Sequence, residues 1–200
     1  MSNSADTETL RFYNHEAETY CRRTGNISSP LLPIFLSRLT PGAKILELGC
    51  GSGRDTVEML RQGYDVTPTD GSPEMALQAE RRFQRPVLVL EFGEIEGEAC
   101  FDGVWASACL LHVPLGCLGE VLTRIYGVLR SPGVLFASFK EGAGESRDRL
   151  GRYYNYPSLA ILKEIFEQAA PWRSLEIERS PGFGYDGVGV QWLNCTAQRV

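Results

Sequence analysis

The chain has 200 residues, enough to bury the core of one domain, and 43% of them are hydrophobic. A net charge of −5 without a broad basic excess argues against a nucleic-acid partner, although a local basic patch is still allowed. No apolar run reaches membrane-spanning length, and residues 1–6 lack a signal-peptide pattern. We therefore expect a cytoplasmic protein with one domain, residues 1–200, and no membrane partner.

Cysteine and histidine, the side chains most often used for transition metals, are scattered along the chain. The six cysteines form no Cys-x-x-Cys pair, and His15 and His112 lie far apart in the sequence. In a reducing compartment such cysteines are most simply small core residues. The sequence therefore predicts no metal site.

The first part of the chain predicts two helices. From about residue 7 to residue 23, apolar side chains recur at helical spacing, with Asp6 or Thr7 as the cap. A second amphipathic pattern follows over residues 31–39, and Thr40-Pro41-Gly42 ends it. The next apolar run, which begins at Lys44, is then expected to be the first strand.

A glycine loop follows that strand. It reads Glu47-Leu48-Gly49-Cys50-Gly51-Ser52-Gly53, and a helical pattern begins at about residue 56. A strand that turns through glycines into a helix brings backbone N–H groups close to a ligand, without side chains between them. The Glu-x-Gly-x-Gly-x-Gly spacing differs from the Gly-x-Gly-x-x-Gly of dinucleotide binders. The loop thus predicts a nucleotide-like ligand of another kind.

A second acid, Asp70, closes the next apolar run. It follows the loop at the distance of a ribose-binding carboxylate, ~20 residues. Pro68 cannot donate a hydrogen bond within a sheet, but it lies close to the end of the apolar run. We therefore still predict a strand here. Ser72 and Pro73 then supply the cap and the first position of a helix that runs to about Phe83.

The middle of the chain alternates between predicted strands and helices. Residues 86–92 are an almost continuous apolar run, which is typical of a buried parallel strand. Further strands are predicted over 101–106 and 133–139, with a helix over 118–129 between them. This alternation predicts an α/β fold with a doubly wound, mostly parallel, Rossmann-like sheet. Ligands bind beyond the carboxyl ends of such strands, where five side chains would gather: Glu47, Asp70, Phe92, Ser107 and Lys140.

The last third of the chain combines a charged segment with a terminal hairpin. Residues 140–149 are rich in glycine and carry charges of both signs, which predicts an exposed, mobile loop. Three tyrosines follow between residues 153 and 156. Ser158 caps a further helix, and alternating patterns over 173–179 and 190–199 predict two strands.

The glycine loop and Asp70 together resemble the class I S-adenosylmethionine-dependent methyltransferases. Three flanking motifs support the resemblance: Phe-Tyr-x-x-x-Ala-x-x-Tyr from Phe12, Leu-Leu-His-Val-Pro from Leu110, and Gly-Arg-Tyr-Tyr-Asn-Tyr-Pro from Gly151. They are similar to a small bacterial subgroup that includes tellurite-resistance-like relatives, a label that does not define a substrate. The resemblance implies a seven-stranded sheet whose last strand is antiparallel.

The resemblance also implies which residues bind S-adenosylmethionine. In that family the glycine loop passes the amino-acid part of the cofactor, and the acid after the second strand holds the ribose. Helices within residues 1–40 cover the site, and an acid after the third strand, here Glu91 or Glu94, accepts from the adenine amine. The expected cofactor-binding residues are Tyr20, Arg22, Glu47, Gly49, Cys50, Gly51, Gly53, Asp70, Gly71, Ser72, Phe92, Ala106 and Ser107.

Catalytic residues are harder to predict, because methyl transfer depends mainly on alignment and on the exclusion of water. We expect residues 140–157 to form a lid over a small-molecule acceptor. The candidate catalytic residues are His112, Lys140, Tyr153 and Tyr154, although a histidine beside a helix start more often has a structural role. Two alternatives stay open: methylation of tRNA or protein, and a cofactor-binding module without turnover. The sequence does not indicate an oligomeric state.

Overall fold

The computed structural model describes residues 5–25 and 27–200, so residues 1–4 and 26 of the predicted N-terminal cover lie outside it. The helices of the described ranges are α1 (Thr7–Thr24), α2 (Leu32–Leu36), α3 (Arg54–Arg61), α4 (Pro73–Phe83), α5 (Leu115–Val128) and α6 (Leu159–Ala169). The strands are β1 (Lys44–Glu47), β2 (Asp65–Asp70), β3 (Leu88–Val89), β4 (Phe101–Ala106), β5 (Leu129–Lys140), β6 (Gly144–Arg147), β7 (Tyr153–Tyr156), β8 (Trp172–Phe183) and β9 (Gly189–Arg199). None of these helices is long and apolar enough to cross a bilayer.

Seven strands form the main sheet, in the order β3-β2-β1-β4-β5-β9-β8. The first five pair in parallel with one another, whereas β9 runs antiparallel to both β5 and β8. This arrangement confirms the predicted doubly wound sheet with an antiparallel last strand. The direction of winding reverses between β1 and β4, so a crevice is expected beyond their carboxyl ends.

Apolar layers on both faces hold the sheet in place. On one face, α5 and α6 bury Leu122 and Phe166 completely. On the other face, the ring of Phe35 from α2 lies 5.2 Å from that of Trp105, which stacks on Phe136 at 4.3 Å. Burial of such side chains contributes about 1.5–3 kcal/mol each, so the strands form a rigid support for the loops at their ends.

Gly103 on β4 leaves room for the helix packed above it. An added Cβ would lie 2.8 Å from Cζ of Phe35 and 2.9 Å from Cδ1 of Leu39. We expect Gly103→Ala to lower the free energy of unfolding in urea by about 1–3 kcal/mol, because both side chains must shift. Gly119→Ala on α5, where a new Cβ meets nothing within 4 Å, should instead raise it by up to about 1 kcal/mol. Equal effects of the two substitutions would contradict this explanation.

The third strand differs from its prediction. It covers only Leu88 and Val89, whose side chains are 54% and 53% exposed, so the buried strand predicted over 86–92 was wrong. The strand lies at the edge of the sheet, where it pairs with β2 alone. An apolar run does not show whether a strand will be central or at an edge, because that depends on its neighbours in the fold.

Most of residues 140–149 are exposed as predicted, but part of this segment is a strand and not a loop. β6 pairs antiparallel with β7, and we call these strands and their turn the 144–156 hairpin. Arg147 of the hairpin donates to both carboxylate oxygens of Asp6, at 2.9 and 2.6 Å, next to the start of α1. Asn14 of α1 in turn accepts from the hydroxyl of Ser72 at 2.6 Å. These contacts attach the start of α1 to the hairpin and the middle of α1 to the start of α4.

Candidate active site

A crevice opens beyond the carboxyl ends of β1, β2 and β4, and α1 forms its outer wall. Because parallel strands place their carboxyl ends on one edge, residues distant in sequence meet there. Most of the residues predicted to bind the cofactor line this crevice: Tyr20, Glu47, Gly49, Cys50, Gly51, Asp70, Gly71, Phe92 and Ser107.

Three predicted residues support the crevice from behind and are not among the residues that line it. An added Cβ at Gly53 would lie 2.8 Å from the ring of Phe83, so this glycine allows the loop to approach α4. Ser72 is fully buried and caps α4, since its hydroxyl accepts from the backbone N–H of Met75 at 3.2 Å. Ala106 is fully buried at the end of β4.

The basic side chain at the crevice is Arg54, which the sequence interpretation missed, and not Arg22. The Arg22 side chain is 70% exposed and lies 3.7 Å from Glu18 on the outside of α1. Tyr20 faces the crevice, and two residues later the helix has turned by about 200°, which directs Arg22 away from it. Arg54 begins α3 directly after the glycine loop and lines the crevice. That position beside the loop was the only sequence signal for it.

The glycine loop turns through the left-handed region, with φ of +62° at Gly49 and +58° at Gly51. Other residues rarely adopt this conformation. A Cβ at Gly49 would lie 2.6 Å from the Cβ of Cys109, so Gly49 is needed for packing. A Cβ at Gly51 would lie 3.8 Å from atoms of Tyr20 and Met75, which also line the crevice. Gly51 therefore keeps the ligand space itself open.

Asp70 joins the glycine loop to the end of β2. Its Oδ2 accepts from the backbone N–H of Gly51 and its Oδ1 from that of Ser72, each at 2.9 Å. Burial raises the pKa of Asp70 to about 6, against the lowering effect of these two hydrogen bonds. Each carboxylate oxygen keeps a further lone pair, so Asp70 is able to accept from two ligand hydroxyls while it holds the loop.

Glu47 lies at the bottom of the crevice and is almost fully buried. Its Oε2 accepts from the hydroxyl of Thr56 at 2.5 Å. Burial raises the pKa of Glu47 to about 8, and the neighbouring Asp55 and Asp70 raise it further against the effect of the Thr56 bond. Before a cationic ligand binds, Glu47 is therefore mainly protonated at neutral pH.

The raised pKa of Glu47 predicts a pH-dependent stability of the cofactor-free protein. The folded state holds this proton up to about pH 8, whereas the unfolded chain loses it near pH 4.5. The contribution of this proton to the free energy of unfolding is therefore complete below pH 4.5 and is lost as the pH rises through 8. We expect the free energy of unfolding to fall by up to about 1.4 kcal/mol per pH unit between pH 6 and 8.

Urea denaturation at three pH values in that range measures this slope. Glu47→Gln keeps the size and polarity of the side chain but carries no titrating proton, so its slope should be flatter. Asp70 titrates near pH 6, at the lower boundary of the range, and contributes little above it. Parallel slopes in the two proteins would show that Glu47 is ionised throughout.

His112 and Tyr13 form the wall at one end of the crevice. Nδ1 of His112 lies 2.6 Å from the carbonyl oxygen of Tyr153, and Nε2 lies 2.9 Å from the hydroxyl of Tyr13. A carbonyl oxygen only accepts, so Nδ1 carries the proton and Nε2 accepts from Tyr13. Burial lowers the pKa of His112 to about 3. His112 is thus a neutral side chain with both ring nitrogens in use.

The other three catalytic candidates are not among the residues that line the crevice. Nζ of Lys140 lies 4.0 Å from the ring centre of Tyr154, and both side chains are buried. The hydroxyl of Tyr153 donates to the exposed side of the 144–156 hairpin, at Glu145. These contacts keep all three side chains behind or outside the crevice wall.

The charges around the crevice fit S-adenosylmethionine. Arg54 is the one arginine or lysine among its described lining residues, whereas the acidic ones are Asp6, Glu47, Asp55, Asp70 and Glu91. The cofactor carries a sulfonium, an ammonium and a carboxylate, hence one positive charge overall. An acidic crevice attracts such a ligand, and one guanidinium matches its one carboxylate.

Several known proteins with related sequences are methyltransferases. Residues 45–133 match the family described as a methyltransferase domain. An uncharacterised methyltransferase of Synechocystis sp. is 29% identical over 153 residues, which cover 74% of this chain and 67% of the relative. The protein-L-isoaspartate O-methyltransferase of Gloeobacter violaceus is 34% identical over 98 residues, or 44% of this chain. That match spans about half of the Gloeobacter protein, 48% of its length.

A solved structure extends the likeness to the whole chain. The 1,6-didemethyltoxoflavin-N1-methyltransferase of Burkholderia thailandensis, with bound 1,6-didemethyltoxoflavin and S-adenosylhomocysteine, is 26% identical with a TM-score of 0.76. The match covers 100% of this chain and 92% of the Burkholderia chain. In its strand order, its glycine loop and these matches, the chain is similar to the class I S-adenosylmethionine-dependent methyltransferases. S-Adenosylmethionine is the cofactor of this class.

Proposed function

We propose that the protein transfers a methyl group from S-adenosylmethionine to a small-molecule acceptor. The observation that carries this proposal is the meeting of Asp70, the glycine loop and Arg54 around one crevice. When bound, the cofactor supplies a methyl carbon that its sulfonium already makes electrophilic. The tasks of the chain are then to align the acceptor with that carbon and to exclude water.

Each part of the cofactor has a suitable partner in the crevice. Asp70 offers two free lone pairs to the ribose hydroxyls, and Arg54 offers a guanidinium to the carboxylate. Glu47 ionises more readily beside a cation, so it suits the ammonium group. Tyr20 presents an aromatic ring to the positively charged end of the ligand. We assign these four residues, together with Gly49 and Gly51, to cofactor binding.

The surroundings of the crevice support a small acceptor. We propose that α1 and the 144–156 hairpin together form the cover predicted over residues 1–40 and 140–157. The turn between β8 and β9 extends this cover, since Tyr185 stacks on Tyr20 with 4.6 Å between the ring centres. A cover of this kind leaves space for a compact molecule next to Tyr13 and His112.

The arginines that the tRNA alternative requires are engaged within the protein. Arg147 is paired with Asp6, and Arg149 donates to the carbonyl oxygen of Asp186 at 2.6 Å. Arg152 is fully buried. Phosphate binding would have to break these contacts first, which favours the small-molecule proposal over a nucleic-acid substrate.

A binding and turnover experiment tests the proposal. Calorimetry should show S-adenosylhomocysteine binding, and an assay for S-adenosylhomocysteine release should show turnover with at least one small N-, O- or S-nucleophile. Planar nitrogen heterocycles are the first compounds to test, given the likeness to an N1-methyltransferase. Turnover only with tRNA or protein would support the first alternative. Binding without any turnover would support a non-catalytic module.

We also propose membership of the tellurite-resistance-like subgroup, on the motifs that begin at Phe12, Leu110 and Gly151, and, separately, a cytoplasmic location. Fractionation of cells that produce the protein tests the location. Alignment of the three motifs with those of the tellurite-resistance-like proteins tests the subgroup. Recovery in the membrane fraction, or motifs that those proteins do not share, would contradict the respective proposal.

A further inference from the structure

Tyr13 lies on α1 at its contact with two other parts of the chain, the segment after β4 and the 144–156 hairpin. Its hydroxyl oxygen lies 2.9 Å from Nε2 of His112 and 3.1 Å from Nη1 of Arg152. Tyr13 and His112 line the crevice, whereas Arg152 lies behind them and is 1% exposed. Tyr13 is the second position of the Phe-Tyr motif that begins at Phe12, and these contacts give it a role that the cofactor site does not use.

The direction of each hydrogen bond at Tyr13 follows from its partners. Nδ1 of His112 donates to the carbonyl oxygen of Tyr153, so Nε2 accepts the one proton of the Tyr13 hydroxyl. Arg152 has no acceptor atom, so it donates to one of the two lone pairs on that oxygen. The hydroxyl oxygen of Tyr13 then keeps one free lone pair, and its only proton is already donated to His112. Tyr13 therefore offers the crevice a hydrogen-bond acceptor and no donor.

Arg152 keeps this arrangement rigid. Its Nε and Nη2 donate to Oδ2 of Asp148, at 3.0 and 2.7 Å. Its guanidinium lies 5.0 Å from the ring centre of Phe12 and 5.3 Å from that of Tyr154. Because the guanidinium is held on all these sides, the Tyr13 hydroxyl cannot turn its proton away from His112 without losing a buried hydrogen bond.

The charges at this end of the crevice also disfavour an anionic acceptor. Asp6 lines the same wall, and its pair with Arg147 keeps it ionised, with a pKa of about 2. The described lining residues contain no lysine or arginine besides Arg54, which we assigned to the cofactor. Arg147 and Arg152 at this wall are already paired with Asp6 and Asp148, so an acceptor with a carboxylate would find both cations engaged and would meet the acceptor-only oxygen of Tyr13.

We propose that Tyr13 positions the methyl acceptor by accepting a hydrogen bond from its N–H or O–H group. The acceptor class is then a neutral small molecule with such a group, and carboxylates and already methylated analogues are disfavoured. His112 and Arg152 are positioning residues that act through Tyr13. This inference rests on the proposed function, since it concerns the same crevice.

Three planar probes of similar size test the inference on the protein with S-adenosylhomocysteine bound: benzimidazole, 1-methylbenzimidazole and benzoate. We expect calorimetry or ligand-observed NMR to show benzimidazole binding about three- to tenfold more tightly than the other two, as one neutral hydrogen bond provides. Tyr13→Phe should abolish this preference and leave the affinity for S-adenosylhomocysteine unchanged within about twofold. The control is Tyr126→Phe, the same chemical change on α5, at a residue that does not line the crevice.

His112→Phe is a second variant, because it removes the partner that holds the Tyr13 proton and so allows Tyr13 to donate into the crevice. It too should reduce the preference for benzimidazole. Equal or absent binding of the three probes to the wild type, a preference for benzoate, or a wild-type preference in both variants would overturn the inference. Failure of S-adenosylhomocysteine to bind the wild type would count against the proposed function instead.

Discussion

Replacement of Asp70 by alanine is expected to weaken the binding of S-adenosylhomocysteine about 100-fold or more. Its carboxylate accepts from the backbone N–H groups of Gly51 and Ser72, at 2.9 Å each, and in the proposed complex it also accepts from the ribose hydroxyls. The substitution removes the ligand bonds and leaves two loop N–H groups without their acceptor. Isothermal titration calorimetry measures the loss directly.

Two variants make this experiment specific. Asp65→Ala, at the start of the same strand, removes an exposed carboxylate that lies 3.9 Å from Lys44, and it should change the affinity less than about twofold. Asp70→Asn keeps one side-chain oxygen, so its affinity should lie between those of the wild type and Asp70→Ala. Wild-type affinity in Asp70→Ala would remove Asp70 from the proposed site.

Replacement of Arg152 by alanine is expected to lower the free energy of unfolding by about 3–5 kcal/mol. Arg152 and its partner Asp148 are both buried, with side chains 1% and 7% exposed. Loss of the guanidinium leaves the carboxylate of Asp148 buried without a cation and removes the donor to Tyr13. Urea denaturation followed by circular dichroism measures the change.

Arg149→Ala is the matched control, because Arg149 is exposed and donates to a single carbonyl oxygen, that of Asp186. This substitution should lower the free energy of unfolding by less than about 1 kcal/mol. The double variant Arg152→Met with Asp148→Leu should recover part of the loss, since it leaves no unpaired charge in the interior. If Arg152→Ala costs no more than Arg149→Ala, the buried pair does not hold this region together.

The elements of the fold could be predicted where their signals are local. α1 begins at Thr7 with Asp6 as its cap, and β4 covers Phe101–Ala106, both as the sequence indicated. Capping and periodicity act between residues only a few positions apart, so they can be interpreted along the chain. The edge position of Leu88 and Val89 had no such signal, because it depends on which strands lie beside them.

The cofactor end of the site could also be predicted in outline. Glu47 and Asp70 end neighbouring strands of a parallel sheet, and the geometry of such sheets brings those ends together. Arg22 was a different case. The family resemblance placed a basic residue on the first helix, but the direction of that side chain depends on how α1 docks, and the cation that lines the crevice is Arg54.

The sequence by itself determined the alternation of strands and helices, the glycine loop after the first strand, and the position of Asp70 at a strand end. These features follow from backbone sterics and short-range periodicity. Only the tertiary structure decided that the Tyr13 hydroxyl offers the crevice an acceptor and no donor. Its partners His112 and Arg152 lie 99 and 139 positions away along the chain. Nothing in the local sequence specifies which side chains will meet over such separations, since that depends on how whole elements pack.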